Sequence, residues 1–77
     1  LIFNVDTTSL AISINLPNPA TRNFYKIKDV GGNAETNNIT LVRFAAETIE
    51  GVAASKILQT NYGYWSLYSD GTNWWVS

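Results

Sequence analysis

Apolar and polar residues alternate over much of this chain, with the period of two that is typical of half-buried β-strands. The clearest run is residues 10–16, whose one face carries Leu10, Ile12, Ile14 and Leu16. Pro17 and Pro19 follow and end the predicted strand, because proline lacks the backbone donor that a sheet needs. Residues 2–5 predict a shorter strand before it.

The middle of the chain predicts further strands separated by turns. In residues 24–30 the alternation predicts Tyr25, Ile27 and Val30 facing inward and Lys26 and Lys28 facing outward. Residues 39–44 are apolar on both faces, which favours a strand held between the core and a partner chain. Residues 55–59 predict another strand. Glycine and asparagine predict turns at 31–33 and 61–63.

The segment between these strands has two interpretations. Residues 48–51 predict a short strand and a turn that ends at Gly51. A single helical turn over 45–50 is the alternative, because Ala45, Ala46 and Glu47 favour helix.

The C-terminal segment predicts a β-hairpin. Two aromatic runs, 64–69 and 74–77, flank Asp70-Gly71, and glycine accepts the positive φ that such a turn requires. All three tryptophans lie on this ribbon. Alternation places Trp65 with Leu67 on one face, and Tyr64 with Ser66 and Tyr68 on the other; Trp74 and Val76 oppose Trp75 and Ser77. One face is expected in the core. The other is left as a subunit interface or a platform for sugar rings.

The spacing of these strands predicts the fold class. Seven or so short strands at intervals near ten residues favour an all-β fold. We expect a small antiparallel β-sandwich or barrel, or a β-prism, in a single domain over residues 1–77.

Length and composition point to assembly. Folding would bury apolar surface worth on the order of 110 kcal/mol, and ordering the chain at about 1.5 kcal/mol per residue costs nearly the same. The sequence has no Cys and no His, so we expect neither a disulfide nor a structural zinc site. Association of identical copies is the remaining source of stability.

Charge and hydropathy bear on partners and ligands. The formal net charge is −1 and the five basic residues are dispersed, so we expect no nucleic-acid partner. Because no run of 18 apolar residues occurs, we expect no membrane insertion. No cofactor is predicted. The chain starts at Leu1 rather than Met, and we interpret it as the C-terminal piece of a longer protein.

The acidic residues are interpreted as structural. Without His or Cys the chain lacks the commonest general base and the strongest nucleophile. Asp29, Glu50 and Asp70 each lie within two residues of a glycine, where a carboxylate caps a turn. We therefore predict no catalytic residue and no enzyme activity. Three loop residues, Asn33, Glu35 and Asn37, have the two-residue spacing of calcium ligands. Only one of them is a carboxylate, so we interpret the segment as a solvated loop and predict no metal site.

Residues 17–76 resemble a C-terminal module of phage tail-fibre and tail-spike proteins. The resemblance rests on seven short motifs in order: Leu16-Pro17, Ile27-Lys28-Asp29, Gly32-Asn33-Ala34, Asn37-Asn38-Ile39-Thr40, Glu47-Thr48-Ile49-Glu50-Gly51, Asn61-Tyr62-Gly63 and Leu67 through Trp74. It implies a homotrimeric domain at the distal end of a virion fibre, outside the host cell, that serves receptor attachment, trimerisation or both. Residues 1–15 would then include a connection to the shaft.

The candidate receptor-binding residues are assigned from their expected exposure to solvent and not from the resemblance. They are loop and outward-facing strand residues: Asn33, Asn37, Tyr62, Tyr64 and Trp75. The expected partners are two further copies of the chain and a host cell-surface receptor, with a glycan as one option. A purely structural trimerisation cap and a carbohydrate-binding module are the alternatives.

Overall fold

The computed structural model describes residues 2–21 and 24–76, and in these residues the alternating segments form seven short strands. The strands are β1 (Ile2–Val5), β2 (Ile12–Asn15), β3 (Phe24–Asp29), β4 (Ile39–Val42), β5 (Lys56–Leu58), β6 (Tyr64–Ser69) and β7 (Trp74–Val76). One turn of 3₁₀ helix, Pro19–Thr21, follows the proline pair. The all-β prediction and the number of strands are confirmed.

The strands form two mixed sheets, ordered β1-β3-β6-β7 and β2-β4-β5. β1 pairs with β3 and β2 pairs with β4 in parallel, whereas β3–β6, β4–β5 and β6–β7 are antiparallel. The prediction of an antiparallel sheet is therefore wrong for two of the five pairs. The reason lies in connectivity: the chain enters the other sheet between β1 and β3, and again between β2 and β4. On its return to the first sheet the chain runs in the same direction as the strand that it left, so the two strands pair in parallel. The barrel is also wrong, because each sheet keeps two end strands.

One core lies between the sheets. The largest fully buried side chains include Trp74, Ile27 and Leu67 from the four-stranded sheet, with Ile39 and Leu41 from the three-stranded sheet. The ring of Tyr25 lies 5.7 Å from that of Trp74 and 5.6 Å from that of Phe3, centroid to centroid. The predicted inward positions of Tyr25 and Ile27 on β3 are confirmed.

Three apolar residues predicted to face inward or to lie within strands are exposed instead. Leu10 precedes β2, Val30 follows β3, and Phe44 lies beyond the end of β4. Val30 cannot share a face with Tyr25 and Ile27, because strict alternation gives the third inward position to Asp29. Residue 29 is thus the buried end of the strand, and its carboxylate is in the interior.

The predicted hairpin and turns are present. β6 and β7 pair in the register Leu67 with Val76 and Ser69 with Trp74; Ser77 lies outside the described residues. Ile49 forms isolated bridges with Val52 and with Trp74, so the short extended segment near residue 49 is confirmed and the helical turn is not.

Candidate binding surface

The outer side of the four-stranded sheet carries a row of aromatic side chains. Phe24 on β3 is paired with Tyr68 on β6, and Tyr68 is paired with Trp75 on β7. Since neighbouring strands lie about 4.8 Å apart, the row spans about 10 Å. Phe24 is 53% exposed and Tyr68 is 43% exposed. Together with Tyr64, these residues form what we call the aromatic face.

Tyr64 extends this surface along β6. It lies four residues from Tyr68 on the same side of the strand, a distance of about 13 Å. The ammonium of Lys26, on the adjacent strand, lies 4.5 Å from the centroid of the Tyr64 ring. Lys28 is paired with Tyr64 in register, and its ammonium donates a hydrogen bond to the carbonyl of Tyr62. The face therefore combines aromatic rings with two cations.

The hairpin loop orients Trp75. Its indole Nε1 donates to Asp70 Oδ2 at 2.9 Å, while Asp70 Oδ1 accepts from the amides of Thr72 and Asn73, each at 2.8 Å. These bonds, led by that from the Asn73 amide, lower the pKa of Asp70 to about 2. Asp70 thus caps the turn, as predicted, and fixes one ring of the aromatic face.

A buried carboxylate organises the loops at one end of the sheet. Asp29 is fully buried and accepts five hydrogen bonds. The donors are the Thr7 hydroxyl at 2.6 Å and the backbone amides of Gly31, Gly32, Ala34 and Tyr62, at 3.0 to 3.1 Å. Burial by itself would raise the pKa of Asp29, but these bonds outweigh it and leave the pKa below its ordinary value. We call Asp29 and its five donor residues the carboxylate hub.

Three predicted site residues lie at or beside this hub. Asn37 Nδ2 donates to the carbonyl of Thr7 at 2.7 Å, and the Asn33 amide donates to the Thr7 hydroxyl at 2.9 Å. Tyr62 is exposed but sits at a positive φ of 59°, with its ring against Gly32. The Asn37 side chain and the Asn33 backbone therefore hold the loop, and Tyr62 presents its ring beside it.

The other two predicted residues, Tyr64 and Trp75, lie together on the aromatic face. Sequence reasoning omitted Phe24 and Tyr68 from the site. The alternation of β6 already placed Tyr68 beside Tyr64, so that signal was available. Phe24 could not be assigned, because its place next to Tyr68 depends on the register between β3 and β6.

Two further acidic side chains accept hydrogen bonds from backbone amides. Glu47 accepts from the amides of Phe44 and Ala45, and Glu50 accepts from the Val76 amide at 2.6 Å. Within residues 2–21 and 24–76, no three Asp or Glu side chains cluster closely enough to bind a metal ion. None of the helices in this part of the chain has the length and apolar character needed to cross a membrane.

Comparison of the chain with protein-family models, with curated proteins and with solved structures finds no match. The arrangement of the aromatic face and the carboxylate hub must therefore be interpreted from its own geometry.

Proposed function

We propose that this chain is the trimeric distal domain of a viral tail fibre or spike. In this role it is exposed on the virion, attaches to a receptor on the host surface and helps to trimerise the fibre. It has no enzymatic activity. The observation that supports attachment is the aromatic face, in which Phe24, Tyr64 and Tyr68 are exposed and Trp75 is half-buried.

A rigid aromatic surface is suited to binding. The rings of Phe24, Tyr68 and Trp75 are held by a hydrogen-bonded sheet, so little conformational entropy is lost when a ligand covers them. Large apolar side chains that lie next to one another on a surface mark interaction sites, whereas isolated ones need no explanation. The register of β3, β6 and β7 makes these three residues neighbours.

Assembly is supported by other exposed apolar residues. Leu10, Val52 and Ile57 are each between 48% and 59% exposed in one copy, and none of them belongs to the aromatic face. A domain of this size has a small core for its surface. Burying some of these side chains between copies would add stability that a single copy lacks, and a three-fold arrangement of the sheets would be a β-prism.

Binding and trimerisation are tested with the 77-residue chain and one matched pair of variants. Tyr68→Ala removes the centre of the aromatic row, and Phe44→Ala removes another exposed ring that lies away from it. Each protein is assayed by light scattering and by binding to a panel of bacterial cells and purified surface polysaccharides. We expect trimers in all cases, with binding lost only in Tyr68→Ala.

Two results would contradict parts of this proposal. Binding that survives Tyr68→Ala removes the aromatic face from attachment. Trimers that bind no cell and no polysaccharide leave the structural cap as the better function.

The face also favours a second candidate, a carbohydrate-binding module. Exposed Tyr64 and Tyr68 offer flat rings to the apolar side of a pyranose, and Lys26 beside Tyr64 offers hydrogen bonds to hydroxyl or carboxyl groups. A monomer that binds polysaccharide through these residues would favour this candidate over the fibre tip.

A further inference from the structure

Two lysines lie among the rings on the outer side of the four-stranded sheet. Lys26 and Lys28 alternate with buried residues of β3, so their side chains lie on the same side of the sheet as Phe24. In register, Phe24 is opposite Tyr68 and Lys28 is opposite Tyr64, with Lys26 halfway between the two pairs. Alternate residues of a strand are about 7 Å apart. Both cations are therefore direct neighbours of the aromatic rings.

These two positive charges have no negative neighbour on the sheet. The ammonium of Lys26 contacts the ring of Tyr64, and that of Lys28 contacts the carbonyl of Tyr62, so each contact is with a neutral group. Among the described strands of this sheet, no outward-facing residue is acidic; the remaining outward residues are Ile2, Asn4, Ser66 and Trp75. Because a lysine ammonium has three donors, both retain donors for a ligand.

The opposite end of the aromatic face has a negative charge. Asp70 follows the last residue of β6, and its carboxylate accepts the hydrogen bond of the Trp75 indole. An anionic group of a ligand is therefore repelled from the Trp75 end and attracted to the lysine end. The formal net charge of the whole chain is −1, so attraction of a polyanion depends on this local arrangement and not on the overall charge.

Resting on the proposed attachment role, we propose that the aromatic face binds a negatively charged polysaccharide. The apolar side of a sugar ring lies against Phe24 and Tyr68. A carboxylate or sulfate on that sugar, or on the next one, accepts charge-assisted hydrogen bonds from Lys26 and Lys28. The rings fit neutral and acidic sugars alike, and the two lysines select the acidic ones.

This selectivity is tested with polymers that differ in charge. Polygalacturonate and dextran sulfate are the anionic probes, and carboxyl-reduced polygalacturonate and dextran are their neutral counterparts. With the 77-residue chain, we expect binding to an anionic polymer to be at least about fivefold tighter than to its neutral counterpart. The difference should disappear when the ionic strength is raised from about 0.1 M to about 1 M, because the screening length falls from about 10 Å to about 3 Å.

A matched pair of variants assigns the selectivity to the lysines of the face. Lys26→Gln removes one charge from it. Lys56→Gln is the control, because the Lys56 ammonium lies 4.6 Å from the ring centroid of Trp65, as that of Lys26 lies 4.5 Å from that of Tyr64, but Lys56 belongs to the other sheet. We expect Lys26→Gln to bind the anionic polymers about two- to fivefold more weakly and the neutral ones unchanged. Lys56→Gln and the charge-conserving Lys26→Arg should resemble the wild type, and Lys28→Gln should repeat the loss.

The outcomes separate the selectivity from the function on which it rests. A preference for either anionic polymer supports the proposal, and the one that binds more tightly identifies the acidic group. Equal binding to anionic and neutral polymers, binding to cells but to no anionic polymer, or unchanged binding in both Lys26→Gln and Lys28→Gln overturns the selectivity and leaves the attachment role intact. An equal loss in Lys56→Gln reveals a general charge effect and also overturns it. A wild type that binds no polymer and no cell overturns the attachment role, and this inference with it.

Discussion

Replacing Asp29 by asparagine is the sharpest test of what holds the loops together. The side chain keeps its shape, but the amide nitrogen cannot accept the hydrogen bonds that the second carboxylate oxygen now receives. With the nitrogen at Oδ2, the amides of Ala34 and Tyr62 lose their acceptor and face another donor. In the opposite orientation of the asparagine side chain, the nitrogen takes the place of Oδ1. The hydrogen bonds from Thr7, Gly31 and Gly32 are then lost instead.

The size of the effect follows from these contacts. A hydrogen bond to a charged group contributes about 1.5–3 kcal/mol, so two lost bonds cost about 3–6 kcal/mol. Small domains unfold with about 0.05–0.15 kcal/mol per residue, or about 4–12 kcal/mol for a chain of this length. We therefore expect Asp29→Asn to lose a large part of the free energy of unfolding.

The measurement is urea unfolding followed by circular dichroism. Glu35→Gln is the control, since Glu35 is an exposed carboxylate of the same loop, and we expect a change of at most about 0.5 kcal/mol. If the free energy of unfolding of Asp29→Asn lies within about 1 kcal/mol of the wild-type value, the carboxylate hub does not organise the loops.

The other predictions concern acid, a glycine and the core. The pKa values of Asp29 and Asp70 lie below that of an unfolded aspartate, so their contribution to stability is complete above about pH 4 and is lost as the pH falls toward 2. Urea midpoints that do not change over this range would contradict it. Gly32→Ala should destabilise the domain by about 1–3 kcal/mol, because Gly32 has a φ of 76° and a Cβ there would lie 2.3 Å from the Tyr62 ring; a thermal melt equal to the wild type's would refute this. Ile27→Ala, at a fully buried site, should cost about 2–5 kcal/mol in urea unfolding, and a loss below about 1 kcal/mol would mean that the core lies elsewhere.

Much of the fold was predictable because alternation and turn chemistry are local. Asp70-Gly71 between aromatic runs specified the β6–β7 hairpin, and the prolines after Leu16 ended β2. Alternation assigned inward and outward faces but did not identify the neighbouring strand. The parallel pairs β1–β3 and β2–β4 depend on which sheet the chain enters next, and no local signal carries that information.

The candidate site divides in the same way. Tyr64 and Trp75 were predictable from the period of their strands. Asn37 was assigned to binding because an asparagine in a loop is usually solvated. Its side chain instead donates to Thr7, 30 residues away in sequence, a contact that exists only after the loops come together. The burial of Asp29 could be inferred from alternation, but its five donors could not.

The two parallel pairs have a consequence for how the chain acquires its structure. β1 meets residues 26–29 and β2 meets residues 39–42, so neither N-terminal strand has a partner until much later segments are available. Both strands carry apolar residues, and during synthesis each stays unpaired until its partner segment has left the ribosome. Pairings between distant segments also slow folding. A fragment ending at residue 21 would hold β1 and β2 without the strand that either one needs.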